Sequence, residues 1–85
     1  MKLNYTVYLI ITVRNNRLIS YVGYTSNLKK RLKSHNNNQG AKFTRGRKWK
    51  LIYKENFNTK KQAISREYYI KKNRTLRNKI KDSLK

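Results

Sequence analysis

At 85 residues, with no cysteine and one histidine, the chain has room for one compact domain and excludes a disulfide framework, a thiolate zinc site and a multi-histidine metal centre. Twenty-three lysines and arginines against three acids give a formal charge of +20, self-repulsion that points to a polyanionic partner, nucleic acid first. No apolar run approaches the roughly 18 residues of a membrane span and no signal-peptide pattern opens the chain, so a membrane is not an expected partner and a cytoplasmic location is the default.

In chain order, residues 5–13 alternate Tyr5, Val7, Leu9, Ile11 and Val13 on one face, with Tyr8 and Ile10 on a second face that is also largely apolar. That pattern predicts a central strand. The polar run Arg14-Asn15-Asn16-Arg17 is turn chemistry, and residues 18–24 return to β-branched and aromatic side chains, so an antiparallel hairpin is expected. Gly23 near its end marks a bend or a close approach of backbone. Thr25-Ser26-Asn27 offers N-cap side chains to a first helix over residues 28–35, with Leu28 and Leu32 one turn apart.

The Asn-rich run 36–40 stops that helix, and a basic connection over residues 40–50 follows. A loop this long in so small a domain is usually functional, and its composition predicts little apolar burial. Residues 49–57 alternate again as a third strand. Asn58-Thr59 then caps a second helix reaching about Lys72, and Thr75 is read as the cap of a third, along which Leu76, Ile80 and Leu84 recur. The expected fold is α+β, a small antiparallel three-stranded sheet flanked by helices in the order ββαβαα, forming one domain over residues 1–85.

Three acids limit the chemistry: Glu55, Glu67 and Asp82. Asp82 sits near a helix C-terminus, where the helix dipole disfavours an anion, and reads as a solvated surface residue. Glu55, beside Lys54 on the third strand, reads as a surface charge. Glu67 shares the stripe of Ala63 and Ile70 that should face the sheet, either as a metal ligand or as a carboxylate tucked against Arg66 or Lys71. Tyr8 and Tyr21 lie on opposite strands of the hairpin and, taken singly, read as sheet residues with surface hydroxyls. Arg31 and His35 are spaced i, i+4 and project together from the first helix, a cationic pair able to grip a phosphate or simply a solvated face. No Gly-rich phosphate loop, no paired carboxylates for glycoside chemistry and no acyl-transfer triad is present.

The triplet Thr6-Val7-Tyr8, then Tyr21-Val22-Gly23 and Tyr24-Thr25-Ser26-Asn27-Leu28 with Arg31 and His35, resembles the two-part signature of the GIY-YIG nuclease superfamily. Gly40-Ala41-Lys42-Phe43-Thr44-Arg45-Gly46 and Ser65-Arg66-Glu67-Tyr68-Tyr69-Ile70-Lys71-Lys72 extend the resemblance to its small stand-alone bacterial members, relatives of the structure-specific junction nucleases. The similarity runs over about residues 4–82.

The resemblance implies a metal-dependent endonuclease that hydrolyses DNA phosphodiester bonds, with structure specificity the open part of that expectation. It implies Glu67 as the ligand of a Mg²⁺ or Mn²⁺ ion and Arg31 as the holder of the scissile phosphate. Tyr8 and Tyr21 become the pair around the nucleophilic water, His35 a helper in deprotonation, and Gly23 the residue whose missing side chain admits the substrate. Two positions depart from the pattern: Thr6 replaces the first glycine of the name, and Tyr24 stands where some members carry a lysine.

One carboxylate favours one ion that keeps most of its waters. A tyrosine acting as base would need its pKa drawn from about 10 towards neutrality, and the surrounding cations are expected to supply that pull. Lys42, Arg45 and Arg47 on the basic connection are the expected contacts to the nucleic-acid backbone. The competing reading is a non-catalytic basic module that binds nucleic acid by shape. Oligomeric state is not legible in the sequence.

Overall fold

The computed structural model describes residues 4–37, 42–44 and 46–83. Strand β1 (Tyr5–Arg14) and strand β2 (Arg17–Thr25) form the hairpin, and helix α1 (Leu28–Asn36) follows. A single 3-10 turn (Lys42–Thr44) leads to strand β3 (Lys50–Phe57), then helices α2 (Lys60–Lys72) and α3 (Arg74–Asp82). This is the α+β order ββαβαα expected from periodicity, and the sheet is antiparallel with β1 central, in the order β2-β1-β3. None of the described helices is long and apolar enough to cross a membrane.

The hairpin register runs from Thr6 opposite Thr25 to Arg14 opposite Arg17. Asn15 and Asn16 both adopt positive φ, 52° and 63°, the left-handed pair that a two-residue hairpin needs to match strand twist. Asparagine tolerates that conformation better than other residues with a side chain, so the register is set locally. Pairing of β1 with β3 is interrupted by a bulge at Leu9 and Ile10, where Leu9 faces Tyr53 and Ile10 faces Leu51.

Because β1 is central, both of its faces are covered. On one side Val7 and Leu9 join Val22, Ala63 and Ile70 in a core completed by Leu76 and Ile80, so α2 and α3 pack there. On the other, Tyr8 and Ile10 join Trp49, with Leu28 and Leu32 of α1 packed against them. Alternation along one strand thus sends odd positions to the α2–α3 layer and even positions to the α1 layer.

Caps define the helix starts. Asn27 accepts the Lys30 N–H at 3.1 Å, and Thr59 with Gln62 forms a reciprocal capping box. The third helix starts two residues earlier than the Thr75 reading: its cap is Asn73, whose Oδ1 accepts the Leu76 N–H at 3.0 Å. Asn73 also closes α2, its N–H donating to the Ile70 carbonyl at 3.1 Å. One residue serves both helix ends, its side chain starting α3 and its backbone N–H closing α2, and no loop separates them. Leu84 lies outside the described residues.

Candidate active site

Tyr8 is the centre of the α1 layer. It is 1% exposed, and its hydroxyl lies 2.8 Å from Nε2 of His35, itself fully buried. His35 Nδ1 in turn lies 2.8 Å from Oγ1 of Thr44, also fully buried. The result is a continuous chain, Tyr8–His35–Thr44, from strand to helix to loop. The Trp49 indole N–H donates to the Thr44 carbonyl at 2.9 Å, and Asn36 clamps the Trp49 backbone, accepting its N–H at 2.6 Å and donating to its carbonyl at 3.2 Å. The far end of the chain is therefore anchored to α1 on one side and to the start of β3 on the other.

These contacts correct three expectations. His35 and Arg31 do not project into solvent as a cationic pair: burial lowers the His35 pKa, the nearby Arg31 charge lowers it further, and the ring is neutral at neutral pH. The Tyr8 hydroxyl is not at the surface. Nor is Tyr8 acidified in the free protein, since burial, the largest effect, outweighs the pull of Arg31 and pushes its pKa up to about 12. Arg31 stands beside the hydroxyls of both tyrosines, and its own pKa is raised chiefly by the Tyr8 hydroxyl.

Gly23 sits directly opposite Tyr8 in the hairpin. A Cβ there would lie 2.5 Å from the Tyr8 hydroxyl oxygen and 3.2 Å from the Tyr21 ring. The room left by the missing side chain is thus taken up by the Tyr8 phenol, which could not reach His35 with a larger residue across the strand. The missing side chain therefore serves the packing of Tyr8.

Tyr21 stands edge-on to the His35 ring at 5.3 Å between centroids and stacks with Phe43 at 6.1 Å. Phe43, half exposed, is covered on its outer side by Arg47, whose guanidinium is 5.3 Å from the ring and donates to the Phe43 carbonyl at 2.6 Å. The basic connection therefore buries a threonine and a tryptophan and lays an aromatic side chain on Tyr21, contrary to the expectation of a weakly packed loop. Lys42 is exposed, and Arg45 lies outside the described residues.

Glu67 reaches the same region from α2. Its side chain is 18% exposed and pairs with Lys71 across 3.3 Å. Its charge is near enough to contribute to the raised pKa of Tyr8. Lys71 lines a concavity of about 300 Å³ at the β2 edge with Tyr21, Phe43 and Arg77, so the lysine that pairs with the carboxylate and one of the two tyrosines border the same opening. Arg77 is held there by donating to the Ile70 carbonyl at 3.0 Å and to the Lys71 carbonyl at the C-terminal end of α2.

The other acids are committed elsewhere. Glu55, expected as a plain surface charge, forms a two-pronged pair with Arg66, Nε to Oε1 at 3.0 Å and Nη2 to Oε2 at 3.0 Å, and accepts the Tyr53 hydroxyl. Burial pulls its pKa up, but Arg66 and Tyr53 together hold it below the usual carboxylate value. Asp82 is exposed. Among the described residues no three acids or imidazoles converge as a protein-only metal cage. Glu67 alone fits a hard divalent cation that keeps its waters and takes its remaining oxygens from a phosphate.

Sequence reasoning missed Thr44, Trp49, Phe43 and Arg77, whereas Lys71 was named as a possible partner of Glu67 and is found paired with it. The only available signal was that Phe43 and Thr44 fall inside a matched motif, because their contacts span sheet, helix and loop.

The model of a family described as the GIY-YIG catalytic domain matches residues 4–81. The chain is 62% identical over 53 residues to a UPF0213 protein of Clostridium perfringens, covering 61% of this chain and 57% of that one. It is 47% identical over 73 residues to a UPF0213 protein of Bacillus licheniformis and 41% identical over 73 residues to the UPF0213 protein YazA of Bacillus subtilis. Those two matches cover 85% of this chain and 73% and 72% of the relatives, so the chain spans a little over half of the first relative and under three quarters of the others. No solved structure matches it.

Proposed function

The chain belongs to the GIY-YIG catalytic-domain family, and from that premise we propose that it is a divalent-metal-dependent endonuclease acting on DNA. The observation that carries the reading is the assembly of a buried Tyr8–His35–Thr44 chain, with Arg31 beside the tyrosine hydroxyls and the Glu67 charge close enough to act on Tyr8.

Phosphodiester hydrolysis needs a water placed in line with the leaving oxygen, somewhere for its proton to go and positive charge for the phosphorane-like transition state. Arg31 supplies a fixed guanidinium whose fork suits phosphate oxygens. Tyr8 orients the water, and its hydroxyl bond to the neutral His35 gives a departing proton a route to Nε2 while Thr44 holds the opposite nitrogen. The raised Tyr8 pKa supports a route through the hydroxyl over a resident phenolate. Tyr21, braced by Phe43 and the His35 ring, closes the water site from the side. Glu67 would hold a Mg²⁺ or Mn²⁺ ion, which when bound supplies Lewis acidity to the phosphate and draws Lys71 into competition for the carboxylate.

Lys42, Arg45 and Arg47 are proposed to follow the backbone of the DNA beside the opening. Within that role Arg47 also braces Phe43.

The test is Glu67→Gln. Cleavage of a labelled DNA in Mg²⁺ should be lost, whereas binding measured without metal should stay within a few-fold, because one neutralised acid is a small change in a charge of +20. A Gln variant that cuts at the wild-type rate would put the metal elsewhere, and absence of cleavage by the wild type on every DNA form would favour the binding module.

A further inference from the structure

Ile64, Tyr68 and Tyr69 are large side chains left 44%, 60% and 52% exposed on one helix. With Lys61, Ser65 and Lys72 they occupy the side of α2 opposite Ala63 and Ile70, which are buried against the sheet. Both tyrosines lie outside the two core clusters and outside the concavity bordered by Tyr21. Two adjoining grooves run over this face, about 560 Å³ bordered by Phe57, Lys61 and Arg66 and about 720 Å³ bordered by Tyr68, Lys72 and Arg74, with Ser65 and Tyr69 common to both.

The face is also organised. The Arg66 guanidinium lies 5.0 Å from the Tyr69 ring centroid and is fixed in turn by the two-pronged bond to Glu55, and Lys72 lies 5.3 Å from the Tyr68 ring. The one acid on this side is therefore spent holding a cation against an aromatic ring. Glu67 is paired with Lys71, and among the described residues no carboxylate borders either groove.

We propose that this outer face of α2 is a stacking platform for unpaired nucleotides, resting on the nucleic-acid reading above and extending it to the class of substrate. Exposed aromatic rings offer π surface to any base, and Lys61, Lys72 and Arg74 border the grooves at positions suited to the linking phosphates. A duplex hides its base faces and would use only the cations. A second copy of this chain is disfavoured by its own charge of +20. Glu67 immediately precedes Tyr68, so the platform and the candidate metal ligand are carried by the same helix. Substrates with single-stranded flanks are the class this fits.

The experiment is an anisotropy titration without metal, comparing a thymidine oligonucleotide with a base-free strand of the same length and phosphate count. Wild-type protein should prefer the base-bearing strand by about ten-fold, the scale of one stacked base. In Tyr68→Ala/Tyr69→Ala the preference should collapse while affinity for the base-free strand is unchanged. Tyr68→Phe/Tyr69→Phe, which keeps the rings, should retain it. A preference that survives the double alanine change overturns the proposal, as does an equal loss on both strands or a matching loss on duplex. Cleavage is not read in this experiment, so a wild type that prefers bases but cuts nothing would sink the nuclease reading alone.

Discussion

Single side chains here carry several requirements at once. Gly23 is the sharpest case: the position opposite Tyr8 must be empty for the phenol to reach His35. Gly23→Ala should destabilise the fold by about 1–3 kcal/mol, the usual range for overpacking, and should abolish cleavage even at temperatures where the variant is folded. Denaturant midpoints alongside nicking rates check both parts. His35 is enclosed by Tyr8, Tyr21 and Thr44 with Arg31 nearby, and burial first and the Arg31 charge second hold its folded pKa below the unfolded value. In that case the unfolded chain binds the extra proton first. Stability should be fully present above about pH 6.5 and fall as the pH drops through the lowered folded pKa, with Glu55 adding a second loss at more acidic pH because its pKa is also depressed. Urea midpoints at a series of pH values would show it; a curve flat between neutrality and about pH 5 would mean that His35 takes up its proton equally in the folded and the unfolded chain.

Among the elements, Asn73 is the hinge point between α2 and α3, accepting from Leu76 and donating its own N–H to Ile70. Asn73→Ala removes the cap but keeps the backbone bond, so a loss of about 1 kcal/mol is expected, measured as a shift in the urea midpoint at unchanged slope. Asn73→Gly should lose only a few tenths, since glycine serves as an N-cap nearly as well. The connection between α1 and β3 behaves as a structural part: Thr44, Trp49 and Asn36 tie it to both neighbours. Loop composition suggested solvent exposure because the threonine and tryptophan are spaced by charged residues, and nothing local says that a histidine and an asparagine from α1 will meet them.

For the molecule as a whole, a charge of +20 on 85 residues opposes compaction and favours any polyanion. Raising salt should therefore act in opposite directions on two measurements. The melting temperature should rise between about 10 and 200 mM salt as self-repulsion is screened over a shrinking Debye length, while DNA affinity should fall with a slope of about 0.9 per phosphate neutralised. A melting temperature that drops with salt would mean that the few ion pairs, Glu55 with Arg66 and Glu67 with Lys71, outweigh the repulsion.

Strand and helix periodicity in residues 5–13, the Asn-Asn turn and the capping residues before α1 and α2 are local signals, and each specified its element without help from distant parts of the chain. The candidate site residues were legible because their spacing matched a family pattern. Their electrostatic state was not, since it depends on burial and on partners far apart in sequence. Tyr8 and His35 are 27 positions apart, and only the packing of α1 on the even face of β1 makes one buried pair of them, moving a pKa expected to fall upward instead. The same holds for Glu55, whose ion pair with Arg66 spans 11 positions and exists because α2 returns across the sheet beside β3. Short-range sterics and hydrogen bonding can be read from neighbours in the chain, whereas desolvation and charge pairing are properties of the folded volume, and only the tertiary structure decides them.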